Sequence, residues 1–212
     1  MSEVIAGISI PDSKMAKEAT ELVRTMAPDL IFQHSRRVFL FGTLQGRRLD
    51  LQPDPELLYV SAMFHDLGLV DGYRRTDQRF ELDGADAAAR FLRSYGLPDS
   101  DVQKAWNSIA LHTTPEIPYR MEPEVALVTA GVEADVLGFG LEHLTHDDLT
   151  SVIAAHPRSG FKKAILEAFR DGFKDRPNST FGTVNADVLE YFFKGYSRMN
   201  FVEVIKGSSW PE

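Results

Sequence analysis

The sequence predicts an all-α fold, a compact single-domain helical bundle, and three observations lead to that prediction. Nearly every long segment repeats its apolar residues at the spacing of one helix face. No pair of alternating apolar and polar runs is joined by a hairpin signal. The 212 residues, 43% of them hydrophobic, are enough for one sizeable core and too few for two. The expected domain covers residues 1–212, with a core over about 13–193 and a C-terminal extension over 194–212.

Each helix follows from local signals. A first amphipathic helix is expected from Ser13 to Met26, then Pro28, then a second from about Asp29 to Gln45. A third begins near Asp54 with Pro55 in its first turn, where proline's missing N–H costs nothing, and ends near Asp66 before Gly68. Helices follow at Asp83 to Ser94, closed by Gly96, and at Asp101 to His112. In the latter, Ser100 and Gln103 have capping-box spacing and Pro115 stops the pattern. Glu124 to Leu137 comes next, and then segments around Asp148 to Ala155, Phe161 to Phe173 and Asn185 to Tyr196, with loops at HPRSG and DRPNSTFG. No internal repeat or low-complexity tract interrupts this order. The aperiodic stretch from Gly68 to Asp83 is the longest connection, and long ordered loops often serve a site.

Composition excludes several functions. With no cysteine, the chain has neither a disulfide framework nor a thiolate metal site, so a metal would rest on His and carboxylates. A formal charge of −8 argues against nucleic acid as a partner. The doublets Arg36–Arg37, Arg47–Arg48 and Arg74–Arg75 read as a mixed, solvated surface. No run approaches the roughly 18 apolar residues of a membrane span, and the N-terminus lacks the basic and apolar regions of a signal peptide. A cytoplasmic protein without a membrane partner is expected.

Four segments direct metal-competent groups inward. His34 shares a helical face with Leu30, Ile31, Val38 and Phe41, which suits either a core histidine bonded to a carbonyl or a ligand. His65 lies on the small and apolar face of Leu58, Ser61 and Ala62, with Asp66 beside it. Adjacent helical residues diverge by about 100°, so the pair can share an ion only where the helix ends, and Gly68 supplies an end. A buried Asp66 is costly without a partner or a metal, and a helix C-terminus disfavours a surface carboxylate there. Asp135 sits in a segment apolar nearly all round, where an ion pair with an arginine and metal binding are both open. His112 ends its helix on the face of Ser108 and Ile109.

A lone His, a His–Asp pair and a distant Asp, all on helices, resemble the HD superfamily of metal-dependent hydrolases. More narrowly, HSRRVFLFG, SAMFHDLG, RFELDGADAAARFL and the segment around Asp135 look like the cyanamide hydratase-like branch, over roughly Ser13 to Phe193. The resemblance implies that His34, His65, Asp66 and Asp135 hold one divalent ion, zinc first, with manganese or iron also suited to mixed N and O ligands. It implies a metal-activated water that attacks a small nitrile-like substrate, as cyanamide hydratase does in forming urea. Asp66 and His112 are then the catalytic candidates, and His112, Thr113, Glu81 and Asp83 the candidate substrate contacts. His143, His146 and His156 lie in polar or loop-like sequence, so a single ion is expected. Leu67, Gly68 and Leu69 stand where several phosphodiesterase branches continue with glycine and then lysine, which weakens the alternative of a phosphohydrolase acting on a nucleotide or other phosphate ester. A non-catalytic ligand-binding module is the alternative from another class. The aromatic run EYFFKGYSRMNFVEVI is expected to pack on the core, with a subunit contact of a homo-oligomer as the other option.

Overall fold

The chain begins with a small hairpin that its alternation pattern does not reveal. A computed structural model describes residues 3–210, and in it β1 (Val4–Ile5) pairs antiparallel with β2 (Ile8–Ser9), Ile5 opposite Ile8. Ala6 and Gly7 take φ of 49° and 66°, so both central residues are left-handed, as a tight two-residue hairpin requires. Strands of two residues are too short to show a period of two, which is why the expectation of no hairpin fails here. The pairing buries Ile5 and Ile8 against the helices.

The remainder is helical. α1 (Lys14–Met26) starts at Ser13, whose hydroxyl accepts from the Ala16 N–H at 3.1 Å. α2 (Asp29–Leu49) runs one turn past the expected Gln45 and stops at Asp50, which is left-handed at φ 54°. α3 (Pro55–Phe64) is capped by Asp54, which accepts from the N–H groups of Glu56 and Leu57 at 2.9 Å each. α4 (Phe80–Ser94) begins three residues before the expected Asp83. α5 (Asp99–Ala110) begins after Pro98, so Ser100 lies inside its first turn and is no cap, contrary to expectation. α6 (Pro123–Val132) continues into a π turn at Glu133–Leu137. α7 (His146–Ala155), α8 (Phe161–Phe173), α9 (Asn185–Phe192) and α10 (Phe201–Lys206) complete the order. Among the described residues, no helix is long and apolar enough to cross a membrane.

The main core extends from Ile5 to Val152 and includes α3, whose residues Leu57 to Phe64 are all buried. Two satellite clusters attach the C-terminal helices. Ile31 packs with Phe161 and Ile165 of α8, and Phe80 packs with Phe173 of α8 and Leu189 of α9. These contacts bring α8 and α9 over the ends of the helices that carry the histidines. The aromatic C-terminal run meets expectation only in part, with Tyr196 packed against the Phe80, Phe173 and Leu189 cluster. Phe201, Val202, Val204, Ile205 and Trp210 are exposed, so α10 does not pack on the core.

α2 and α6 approach so closely that two glycines are required. A Cβ on Gly131 would sit 2.2 Å from the Val38 carbonyl oxygen, and one on Gly42 would sit 2.5 Å from that of Leu127. Both obstacles are backbone and cannot turn aside. Gly131→Ala is therefore expected to destabilise the protein by about 1–3 kcal/mol, the usual range for overpacking, read as a lower urea unfolding midpoint at unchanged slope.

Candidate metal centre

Two helix ends and the side of a third helix converge on a buried carboxylate. His34 projects from the middle of α2, His65 and Asp66 follow the last turn of α3, and His112 follows α5. His65 keeps helical angles, whereas Asp66 moves to φ −102° and ψ 6° and opens a short 3₁₀ turn, Leu67–Leu69. That change of direction lets two sequence neighbours face one point, as the glycine at 68 suggested.

The ring nitrogens are already sorted. His65 Nδ1 donates to the Ala62 carbonyl at 2.7 Å and His112 Nδ1 to that of Ile109 at 2.6 Å. His34 Nδ1 donates to Asp135 Oδ2 at 2.6 Å. A carbonyl or a carboxylate only accepts, so each Nδ1 carries hydrogen and each Nε2 presents a lone pair in the neutral ring. Nε2 of His34 lies 3.2 Å from Nε2 of His65, and the two lie 3.6 and 3.4 Å from Asp66 Oδ2. His112 Nε2 approaches the other oxygen, Oδ1, at 3.7 Å.

This arrangement fits a cation. Both oxygens of Asp66 are buried and take no hydrogen bond. A lone carboxylate in that position is costly unless paired or bound to a metal. His34, His65 and Asp66 form a cluster of potential ligands, all buried, with one donor atom from each within 4.8 Å of the others. Two nitrogens bound to one ion at about 2.0–2.1 Å in tetrahedral geometry stand roughly 3.3 Å apart, close to the spacing observed here. Burial disfavours charge on His65, but Asp66 raises its pKa above the ordinary value. Burial also opposes ionisation of Asp66, and the charge of His65, followed by those of His34 and His112, holds its carboxyl well below the usual range. His112 is lowered to about 4 by burial and then by the charge of His65. Burial also lowers His34, against the pull of its bond to Asp135.

Asp135 is expected as a ligand, but the structure places it behind His34 and away from Asp66. Its carboxylate accepts a two-pronged bond from Arg37, Nε to Oδ1 at 2.8 Å and Nη2 to Oδ2 at 2.9 Å. Arg158 Nε also reaches Oδ1 at 2.8 Å, and Arg158 Nη2 donates to the Asp135 carbonyl. Asp135 thus orients the ring of His34 and strengthens its basicity, as outer carboxylates do for metal-bound histidines. The π turn, a feature concentrated at functional sites, carries it there. Phe161 lies 4.8 and 4.7 Å beneath the guanidinium groups of Arg37 and Arg158 and 5.2 Å from His34.

The reading of the first arginine doublet as solvated surface is corrected by this network. Arg37 is fully buried, and Arg36 nearly so, bonded to Tyr59, Glu3 and His156. His156 is likewise buried, held by Arg36 and Gln33, and does not join the His34–His65–Asp66 cluster. His143 and His146 are exposed, in line with their polar sequence.

The remaining candidates separate by location. Thr113 lines a cavity of about 260 Å³ that opens onto His34, His65, Asp66 and His112. Glu81 lies behind that wall, its Oε1 accepting from Thr113 at 2.6 Å, Asn185 at 2.9 Å and Arg79 at 2.9 Å. Asp83 does not line the cavity. It binds Arg176 at 2.5 Å and Gln78 at 2.7 Å, while Arg176 also ties down the carbonyls of Gly68, Arg75 and Gln78. The long loop after the His–Asp pair is therefore an anchor for the end of α8, and none of its residues faces the cavity. Arg37, Arg158, Phe161 and Asn185 are absent from the sequence-based candidates. Arg158 falls in the HPRSG loop and arginines give no periodic signal, while Phe161 and Asn185 read as ordinary helix residues.

Residues 31–138, just over half of the 212, match the HD domain family. No curated protein matches the chain. The matched span runs from the turn before His34 to the end of the π turn, and so contains His34, His65, Asp66, His112 and Asp135. Helical architecture, a buried His–His–Asp cluster suited to a divalent ion and the match itself agree: this chain belongs to the HD domain family, whose members are metal-dependent hydrolases.

Proposed function

We propose that the protein is a hydratase that adds water to a small, neutral, nitrile-like molecule such as cyanamide, giving urea. The character of the cavity carries this reading. Its charged lining residues are acidic, Asp66 and Glu133, and among the described residues no lysine or arginine lines it. Val132, Val136, Leu137, Leu166, Phe169, Val184 and Val188 make the rest mostly apolar. A phosphate ester needs charge-assisted donors, and the nearby arginines are committed elsewhere, Arg37 and Arg158 to Asp135, Arg79 to Glu81 and Arg176 to Asp83. At about 260 Å³, the space lies below the range for drug-sized ligands and suits a substrate of a few heavy atoms.

His34, His65 and Asp66 would hold the ion, zinc being our choice among the metals that suit mixed N and O ligands. A divalent ion there supplies Lewis-acid activation of water at neutral pH. The protein's own groups manage the protons. Asp66 Oδ1 and His112 Nε2 face each other at 3.7 Å, and His112 is neutral near pH 7, able to accept there. As the C–O bond forms at the nitrile carbon, this pair takes the proton lost by water and returns it to the nitrile nitrogen, and the resulting isourea becomes urea when its O–H proton moves to the imino nitrogen. The walls about the metal-facing end are apolar, and Thr113, fixed by Glu81, presents its hydroxyl lone pairs to the substrate.

The test is turnover of cyanamide by metal-loaded protein beside a panel of nucleotides and a generic phosphate ester. Urea formation is expected, without phosphate release. Phosphate release without hydration overturns the proposal.

A further inference from the structure

We infer that Asn185, outside the matched family span, recognises the substrate by accepting a hydrogen bond from one of its N–H groups. The inference rests on the hydratase reading for its substrate class, and on the following geometry for the residue.

Asn185 is the first residue of α9, is buried and lines the cavity. Its amide has one orientation. Nδ2 donates to Glu81 Oε1 at 2.9 Å, and Glu81 is ionised, because Arg79 outweighs the burial that opposes its charge. A carboxylate only accepts, so the nitrogen must face it and the oxygen must face away. Oδ1 takes no hydrogen bond from any described residue. Nor is it among the sealed, unpartnered side-chain atoms, which belong to Ser61, Asp66 and Thr129. An acceptor that is neither paired nor sealed, on a residue that lines the cavity, is open to whatever occupies that cavity.

The neighbouring polar groups have the same sense. The Thr113 hydroxyl spends its hydrogen on Glu81, leaving lone pairs. Glu133, also on the cavity wall, is a carboxylate that accepts from Tyr119 at 2.5 Å. A cavity presenting acceptors favours a ligand that brings donors, and an amino group adjacent to the reacting carbon satisfies that requirement where an alkyl group leaves Oδ1 desolvated and unpaired.

The experiment compares cyanamide with N,N-dimethylcyanamide, which lacks N–H, in wild type and Asn185→Leu, all loaded with metal. For cyanamide, kcat/KM is expected to fall about tenfold, mostly through KM, the size of one lost hydrogen bond to a neutral group. For the dimethyl compound it is expected not to fall. Equal losses for both substrates would make Asn185 a merely structural residue and overturn the inference, as would no loss for either. A second readout is independent of turnover. In crystals of the metal-loaded wild type soaked with urea, a urea nitrogen is expected within about 3.2 Å of Oδ1. Urea absent or bound elsewhere counts against Asn185. If the wild type fails to hydrate cyanamide, the hydratase reading falls, and the crystal result alone decides for or against recognition by Asn185.

Discussion

Asp66→Ala should lose the metal and, with it, metal-dependent turnover, while the fold survives. Both Asp66 oxygens are buried without a hydrogen bond, so removing them leaves no protein donor unpaired. The variant removes the only carboxylate of the His34–His65–Asp66 cluster and leaves two neutral nitrogens. Activity should fall by more than ~100-fold, since losing even an outer partner of a metal ligand reaches 10–100-fold. Stability provides a second reading that needs no substrate. An ion bound only by the folded wild type adds RT ln(1 + [M]/Kd), about 2.7 kcal/mol at a hundredfold excess over Kd. Asp66→Ala should show no such gain in urea unfolding with and without added zinc. Retention of stoichiometric metal by the variant, measured by elemental analysis, would exclude Asp66 as a ligand.

Asp135→Ala should have the opposite profile, with the larger cost in the fold. Arg37 is fully buried and Asp135 is the one carboxylate it binds among the described residues. Truncation leaves that guanidinium charged in the interior with only the His156 and Pro157 carbonyls, and removes a bond from Arg158. Breaking one side of a buried ion pair costs about 3–5 kcal/mol, and that is the expected loss in ΔG of unfolding. Metal affinity should drop about 10–100-fold as His34 loses its orienting partner. Were Asp135 a direct ligand, metal loss would match that of Asp66→Ala.

The pH dependence follows from the same contacts. Burial opposes charge on Asp135, but the bonds from His34 and Arg37 hold its carboxyl well below the usual range. A depressed carboxylate contributes stability that is fully present above the unfolded value of about 3.9 and is lost as pH falls toward the folded one. Wild type should therefore lose stability below about pH 4 more steeply than Asp135→Ala. Parallel acid profiles would mean that Asp135 does not carry this term.

The sequence by itself determined the helical class and most of the element order, because helix faces, caps and prolines act within a few residues of one another. It also marked His34, His65, Asp66 and Asp135 as inward-facing, and the family resemblance made all four ligands of one ion, whereas among the described residues the structure gathers only the first three into a cluster of potential ligands. It missed the hairpin, whose strands are too short for periodicity, and it placed α10 on the core when its apolar side is exposed. Tertiary structure alone decided the rest. Asp135 and Arg37 are 98 positions apart, and Asn185 and Glu81 are 104 apart. No local pattern encodes which buried carboxylate meets an arginine and which is left open for an ion. That assignment depends on the close approach of α2 and α6 and on α8 and α9 closing over the helix ends, and it puts Asp135 behind His34 and leaves Asp66 facing the cavity.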